Sequence, residues 1–373
     1  MEALGKLVHF HRKRQNKTQE TLCSGICSVT HLSKIENGYK EGSAETLRLL
    51  FERLGVKVET EKSKTNELKK ELDEFYLCMM HLNERKAECI YTKLKAEEEY
   101  IQYTELVYLY QLYCIRYDLF IGNLEKADAS ISRMIKSIKK FSQLERYLLH
   151  YFHAIYLIKR KNFEEALGEL DISQGLGLEF EVISPEFDYH KALIYSQLQH
   201  STLAMHYSHT ALKRFEKDHN FLRIMDTNLI IAINLTKQKQ FREAERIYTK
   251  LLRDAELYSN KKIMSMILHN FGYLYCIQDQ YSKAIEYYRY SLDCLNCVRP
   301  DHYSATTSNI VNLLIIEGKK EEALLYTSKA ISFLQKYENR KVKHILSYWL
   351  QLKEMIFNDK KITSPSFYLE NFQ

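Results

Sequence analysis

The sequence predicts an all-α protein, with a small four-helix head followed by a long array of stacked helical hairpins. Three observations carry this. Helix breakers are scarce, at 3 prolines and 11 glycines in 373 residues, and five of those glycines (Gly5, Gly25, Gly38, Gly42, Gly55) fall in the first 55 positions. Hydrophobic residues make up 45% of the chain, enough for a sizeable core. Beyond the head, an alanine returns every 38–40 residues in a constant frame of neighbours.

Residues 2–15 read as a first helix, with Leu4, Leu7 and Val8 on one face. Thr18 caps a second helix that opens with Gln19 and Glu20 and turns Leu22 and Cys23 inward. Ser24-Gly25-Ile26-Cys27 forms a tight turn in which Gly25 is free to take positive φ and Ile26 is buried. Ser28 caps a third helix, Val29–Glu36, with Leu32 and Ile35 inside and Asn37-Gly38 closing it. Ser43 caps a fourth helix carrying Leu47, Leu50, Phe51 and Leu54, and Gly55 comes after its end.

Two short helices joined by a tight turn and flanked by two more make a helix-turn-helix. In that arrangement the third helix enters the major groove of DNA and its N-terminal, outward side chains meet base edges: Val29, Thr30, His31, Ser33 and Lys34. Val29 suits a thymine methyl, whereas Thr30 and Lys34 suit hydrogen-bonding edges. Ser28 reads more as a cap than as a base reader. Asn37, Tyr39, Lys40 and Ser43 position the phosphate backbone. Charge is a minor witness. Met1–Val56 carries nine Lys/Arg against six Asp/Glu, and the whole chain is only +6.

The strings Thr18-Gln19-Glu20-x-Leu22-Cys23 and Leu32-Ser33-Lys34-Ile35-Glu36-Asn37-Gly38 resemble the Xre/phage-repressor helix-turn-helix family, over residues 4–56. The turn is one residue shorter than the commonest form of that family, and Gly25-Ile26-Cys27-Ser28 resembles the PlcR and Rgg branch. The resemblance implies a phosphate contact for Gln19 and an ion pair between Arg12 and Glu36.

Downstream, the recurring alanines are Ala87, Ala127, Ala166, Ala204, Ala244, Ala284 and Ala323. Most come after a polar or glycine turn, an apolar residue and two mostly charged residues, as in Lys161-Asn162-Phe163-Glu164-Glu165-Ala166. Four residues later stands a tyrosine or a small residue (Tyr91, Ser208, Tyr248, Tyr288, Thr327), and seven later a small one (Ser173, Ala211, Ser291, Ala330), all on one helical face. Leu268-His269-Asn270-Phe271-Gly272-Tyr273-Leu274-Tyr275 marks the helix ahead of such a turn. This frame resembles a tetratricopeptide repeat, with HEAT-type repeats as the alternative of similar length, and it implies a right-handed superhelix of about seven hairpins. The boundaries read as a head at 1–58, a polar linker at 59–65, repeats at 66–338, and a capping helix and tail at 339–373, with Arg340–Phe357 as the helix.

Such a superhelix lines its concave groove with first-helix side chains. Asn228, Asn234, Asn270, Asn309 and Asn312 place amides there, and an amide can pair with both the N–H and the C=O of an extended peptide. Tyr189, Tyr273 and Tyr348 supply apolar pockets with a polar end. The competing reading places these asparagines at inter-repeat contacts.

In order and length, the head plus repeats is similar to the peptide-responsive quorum-sensing regulators of Gram-positive bacteria, the Rap–Rgg–NprR–PlcR–PrgX group. That resemblance implies a cytoplasmic homodimer that binds double-stranded promoter DNA and is controlled by a short signalling peptide. Two other readings share the same features: a regulator gated by a protein partner or other ligand, and a repeat-domain adaptor or response-regulator inhibitor.

Other classes find little support. No apolar run approaches the roughly 18 residues of a membrane span, and the start lacks a signal-peptide pattern. The eight cysteines are scattered, which suits a reducing compartment, and Cys294-x-x-Cys297 has no second ligand pair nearby for a metal. No phosphate loop, His-Glu-x-x-His or Gly-x-Ser-x-Gly motif occurs, so neither an enzyme nor a cofactor is expected.

Overall fold

The computed structural model describes residues 2–178, 184–294, 300–337 and 340–358. Among these there are twenty α-helices and no strand. The head comprises α1 (Glu2–Arg14), α2 (Gln19–Cys23), α3 (Val29–Glu36) and α4 (Ala44–Arg53). The Thr18, Ser28 and Ser43 side chains accept the backbone N–H of Thr21, His31 and Thr46 at 3.1, 3.2 and 3.1 Å, satisfying donors that the helix starts leave free. A Cβ on Gly5 would stand 2.4 Å from the Ile35 carbonyl oxygen, so glycine is what lets α1 lie on α3. Leu7, Val8, Leu22, Leu32, Leu50 and Phe51 fill the space between the four helices. Ile26, expected inside, is only half-buried. The Ile26 and Cys27 N–H groups both return to the Cys23 carbonyl, and that turn holds Ile26 at the rim of the core.

The rest of the chain builds seven hairpins: α5 (Val58–Met80) with α6 (Glu84–Ala96), α8 (Val107–Ile121) with α9 (Leu124–Ser137), α10 (Gln143–Arg160) with α11 (Phe163–Leu178), α12 (Glu186–Gln197) with α13 (Ser201–Lys217), α14 (Phe221–Lys237) with α15 (Phe241–Leu257), α16 (Lys261–Ile277) with α17 (Tyr281–Asp293), and α18 (Pro300–Ile316) with α19 (Lys320–Leu334). A short helix, α7 (Glu98–Ile101), separates the first two, and α20 (Arg340–Phe357) packs on the last. The chain divides into two compact units at His190/Lys191, inside α12. The tail Ile362–Gln373 and Cys297 lie outside the described residues.

One local device recurs in every hairpin. The seven frame alanines have no exposed surface. Five residues before each stands a left-handed residue, at Leu82, Gly122, Lys161, Gln199, Lys239, Asp279 and Gly318, with φ between +56° and +84°. The next N–H reaches back to the carbonyl five residues earlier at 2.7–3.0 Å, from Asn83 to Cys78 through to Lys319 to Leu314. This is the six-to-one bond of a Schellman motif, which satisfies a helix-end carbonyl while reversing the chain. Only two of the seven left-handed positions are glycine, so five hairpins hold a strained side-chain-bearing residue there.

Residues 59–65, expected as a linker, instead form the first turns of α5. The stretch is polar because most of its side chains face solvent. It contains no breaker, and its Glu61 is buried against the head. The first hairpin therefore starts at Val58 rather than near Asn66.

In the first unit, Phe75, Tyr151, Phe152 and Phe187 are fully buried, and Tyr91 stacks on Tyr117 at 4.5 Å. Arg116 and Glu186 form a buried ion pair at 3.0 Å. The core of the second unit runs from α14 to α20 through Tyr248, Phe271, Tyr288 and Trp349. Trp349 Nε1 donates to Ser304 Oγ at 2.8 Å, so even this large side chain buries no unmet donor.

Gly272 and Gly318 do different work. A Cβ at Gly272 would stand 2.7 Å from the Tyr288 ring, whereas Gly318 is surrounded by open space but has φ +73°. Gly272→Ala should overpack α16 against α17 and cost about 1–3 kcal/mol. Gly318→Ala should cost about 1–2 kcal/mol through its backbone alone. Denaturant unfolding of the two variants, with hydrogen exchange to localise the damage, checks both.

Candidate nucleic-acid interface and ligand surface

A buried carboxylate organises the head. Glu36, 3% exposed, receives Arg12 Nε at 2.6 Å and Nη2 at 2.8 Å, together with Gln19 Nε2 at 2.7 Å. His9 Nδ1 lies 3.5 Å from the same side chain. Arg12 also donates to the Lys17 carbonyl at 2.9 Å. The Glu36 hydrogen bond leads in holding the Arg12 guanidinium pKa above its usual value, against the opposing effect of burial. Burial lowers the His9 pKa, a shift that the Glu36 charge opposes. Helices α1, α2 and α3 thus meet at one side chain. Gln19 is held by Glu36 through its amide nitrogen, an engagement that the sequence pattern did not signal.

The opposite side of α3 is left open. Val29 is 43% exposed, Thr30 and Lys34 are exposed, and the Thr30 and Lys34 side chains make no hydrogen bond or ion pair among the described residues. His31 and Ser33 are half-buried beside them. The Ser28 and Ser43 hydroxyls are occupied as caps. The Asn37 amide donates to the Ser33 carbonyl at 2.7 Å, while Lys40 and Tyr39, the latter 84% exposed, project just past the helix end. The eleven head residues singled out in the sequence therefore divide into an open reading face, capping groups and Gln19 on the internal node.

The head is anchored to α5 and α7. His11 Nε2 lies 3.0 Å from Glu61 Oε2, and the Tyr100 hydroxyl donates to the same oxygen at 2.8 Å. Phe10 meets Tyr100 and Tyr103 with ring centroids 5.4 Å away in each case, and His9 stacks on Tyr103 at 5.7 Å. Lys64 sits 4.0 Å from the Tyr100 ring centre and pairs with Glu97 at 2.8 Å.

The asparagines of the repeats fall into different roles. Asn234 is fully buried and clasps two helices, donating to Ser196 Oγ at 2.9 Å and to the Ile230 carbonyl at 2.8 Å. Asn228 and Asn270 turn their amide nitrogens onto their own helices, at the Ile224 and Met266 carbonyls, and both are half-buried. Asn309 and Asn312 are 7% and 6% exposed, and Asn312 Nδ2 has no hydrogen-bond partner among the described residues. One turn before it, Ser308 faces the Tyr348 hydroxyl, whose pKa is raised mainly by burial. Tyr273 is half-buried on α16, three residues after Asn270. These residues all belong to the second unit. Tyr189 belongs to the first, edge-on to His190 at 5.2 Å. Ser308 escaped the sequence reading, although its place four residues before Asn312 on one helix was a usable signal.

No group of three or more His, Cys, Asp or Glu side chains suited to a metal occurs among the described residues, and none of their helices is long and apolar enough to cross a membrane.

Residues 11–60 match the helix-turn-helix family model. The chain is 25% identical over 274 residues to the transcriptional activator NprA of Geobacillus stearothermophilus, covering 73% of this chain and 67% of that one. It is 21% identical over 206 residues to the regulatory protein RapK of Bacillus subtilis (strain 168), covering 54% of this chain and 56% of RapK, little more than half that relative's length. In fold it is similar to NprR crystallised with its cognate peptide NprX, at a TM-score of 0.69 and 24% identity, over 83% of this chain and 89% of that one. The chain is thus similar in sequence to NprA and RapK and shares the fold of NprR.

Arg12→Leu would strand the buried Glu36 carboxylate and should cost about 3–5 kcal/mol, and Arg12→Leu with Glu36→Leu should recover most of that. Thermal melts of the single and double variants test this. In the second unit, His269 is buried against Thr306 Oγ1 at 2.8 Å, and burial, then His302, pushes its pKa down to about 3. The unfolded chain binds this proton more readily, so stability should be complete above about pH 6.5 and fall as pH drops toward 3. His269→Gln should flatten that loss when denaturation midpoints are compared at pH 7.5 and pH 5.

Proposed function

We propose that this chain is a transcriptional regulator that binds promoter DNA through its N-terminal helix-turn-helix and is controlled by a short signalling peptide held by the repeats. The observation that carries the reading is the outer face of α3. Val29 and Thr30 in the first turn of a capped helix, and Lys34 in its last turn, are exposed and unengaged on the outward side that a major-groove reader presents. Ser28, Ser43 and Asn37 hold the ends of that surface, and Tyr39 and Lys40 flank it for phosphate contact. Similarity to a protein named as a transcriptional activator supports the same assignment.

For the ligand, the support is the unmet Asn312 donor. A buried N–H without a partner costs about 1–3 kcal/mol, which a peptide carbonyl would relieve. Asn270, Asn309, Tyr273 and Tyr348 furnish further amide and aromatic contacts in the same unit, and the similar NprR fold carries a peptide. Asn234 acts as an inter-repeat clasp, Asn228 directs its amide N–H to the Ile224 carbonyl, and Tyr189 belongs to the first unit. The protein acts in the cytoplasm as a homodimer, because one small reading head buries little DNA surface and two heads can span half-sites a helical turn apart.

Fluorescence-anisotropy titration on the chain's own promoter, at fixed salt, tests both parts. Thr30→Ala and Lys34→Ala should each weaken specific binding by about 1–3 kcal/mol while leaving non-specific binding nearly unchanged. A synthetic peptide from an adjacent small reading frame should shift the wild-type affinity several-fold, and Asn312→Leu should remove that shift without altering peptide-free binding. Specific binding indifferent to every peptide would assign control to a protein partner or another ligand. Absence of specific binding would overturn the DNA reading.

A further inference from the structure

We infer that the contact between α1 and the start of the first hairpin sets the spacing at which two DNA half-sites are read, with Glu61 and Tyr100 as positioning residues for DNA recognition. The inference rests on the DNA-binding reading above and concerns residues that touch no DNA.

Three consecutive α1 residues make the contact. His9 stacks on Tyr103, Phe10 packs against Tyr100 and Tyr103, and His11 faces Glu61. Glu61 is 5% exposed, and the Tyr100 hydroxyl donates to it at 2.8 Å. Burial by itself would raise the Glu61 pKa, yet the adjacent His11 and the Tyr100 hydrogen bond prevail and hold it below its usual value, so the charged form is the one the contact favours. His9 also lies 3.5 Å from Glu36, the carboxylate that joins α1 and α2 to the reading helix. An unbroken series of side-chain contacts thus runs from α7 and α5 through α1 to α3.

The backbone adds no slack. Only Gly55, Val56 and Lys57 separate the α4 cap residue Leu54 from α5. A flexible linker would let each head sample distances growing with the square root of its length. Here the head and the first hairpin form one body, so the direction of α3 is decided by protein packing rather than by the DNA. For two such heads, that direction translates into one permitted half-site separation.

The test is in vitro selection by the full-length dimer from a library that varies both half-site sequence and spacing, with affinity then measured on single and paired sites. The wild type should select paired half-sites at one spacing. Glu61→Gln with Tyr100→Phe, and separately Phe10→Ala, should select the same half-site bases with spacings spread over several base pairs. Their paired-site affinity should fall about tenfold, as the second contact loses its effective concentration. Affinity for a single half-site should stay within about twofold, a readout that general damage to the head would move. If Phe10→Ala also lowers single-site affinity, the double variant, which removes almost no packing volume, decides. Variants that keep the wild-type spacing and paired-site affinity overturn the inference. So does a wild type that selects a half-site with no preferred spacing, although the DNA reading then survives. A wild type that selects no sequence defeats that reading and this inference together.

Discussion

Each hairpin of this chain closes through an alanine with no exposed surface, set five residues after a left-handed turn. The close approach of the two helices depends on that pairing. A methyl group lets the facing helix come near, and the left-handed residue lets the chain reverse within a few positions while its Schellman bond satisfies the outgoing carbonyl. Five of the seven turns hold the strained conformation without glycine, which requires the packing on either side to outweigh the local cost. The tyrosine-rich composition has its place in the same frame. Four residues after the alanine, Tyr248 and Tyr288 fill the space where Ser208 and Thr327 leave room for neighbours, and Gly272 yields to the Tyr288 ring.

Buried carboxylates join the elements that this apolar frame cannot align by itself. Glu36 gathers α1, α2 and α3, Glu61 joins the head to the first hairpin, and Glu186 pairs with Arg116 within the first unit. Such groups are a weak source of stability, because desolvation offsets much of the attraction. Their geometric demands are strict, however, and in the head they fall on the residues that aim α3. The charge network therefore matters more for where α3 points than for how tightly the head folds.

The two candidate surfaces differ in kind. The outer face of α3 is exposed and unengaged, as suits a contact with hydrated base edges and phosphates. Around Asn312 and Ser308, beside the half-buried Tyr348, the repeat surface is nearly dry, and the Asn312 amide and the Ser308 hydroxyl both lack a hydrogen-bond partner among the described residues, as suits an extended chain that brings its own carbonyls. A regulator needs both: a surface that can form and break contacts with DNA, and a site where a small ligand gains enough from burial to bias the protein.

Much of this protein was legible in its sequence because the signals are local. Caps at Thr18, Ser28 and Ser43, the breaker-poor composition and the alanine period specify helix starts, turns and hairpins within a few residues of themselves. That is why seven hairpins and an outward-facing Thr30 and Lys34 could be read directly. The tertiary structure decided what depends on partners far away in the chain. Residues 59–65 look like a polar linker until Glu61 meets His11 and Tyr100, after which they are the anchored start of a long helix. Gln19 is turned onto Glu36, Asn234 becomes a clasp to Ser196, and Asn312 is left with an unmet donor. Periodicity reports which face of a helix is apolar, but the partner of a polar side chain is set by long-range packing that no local pattern records.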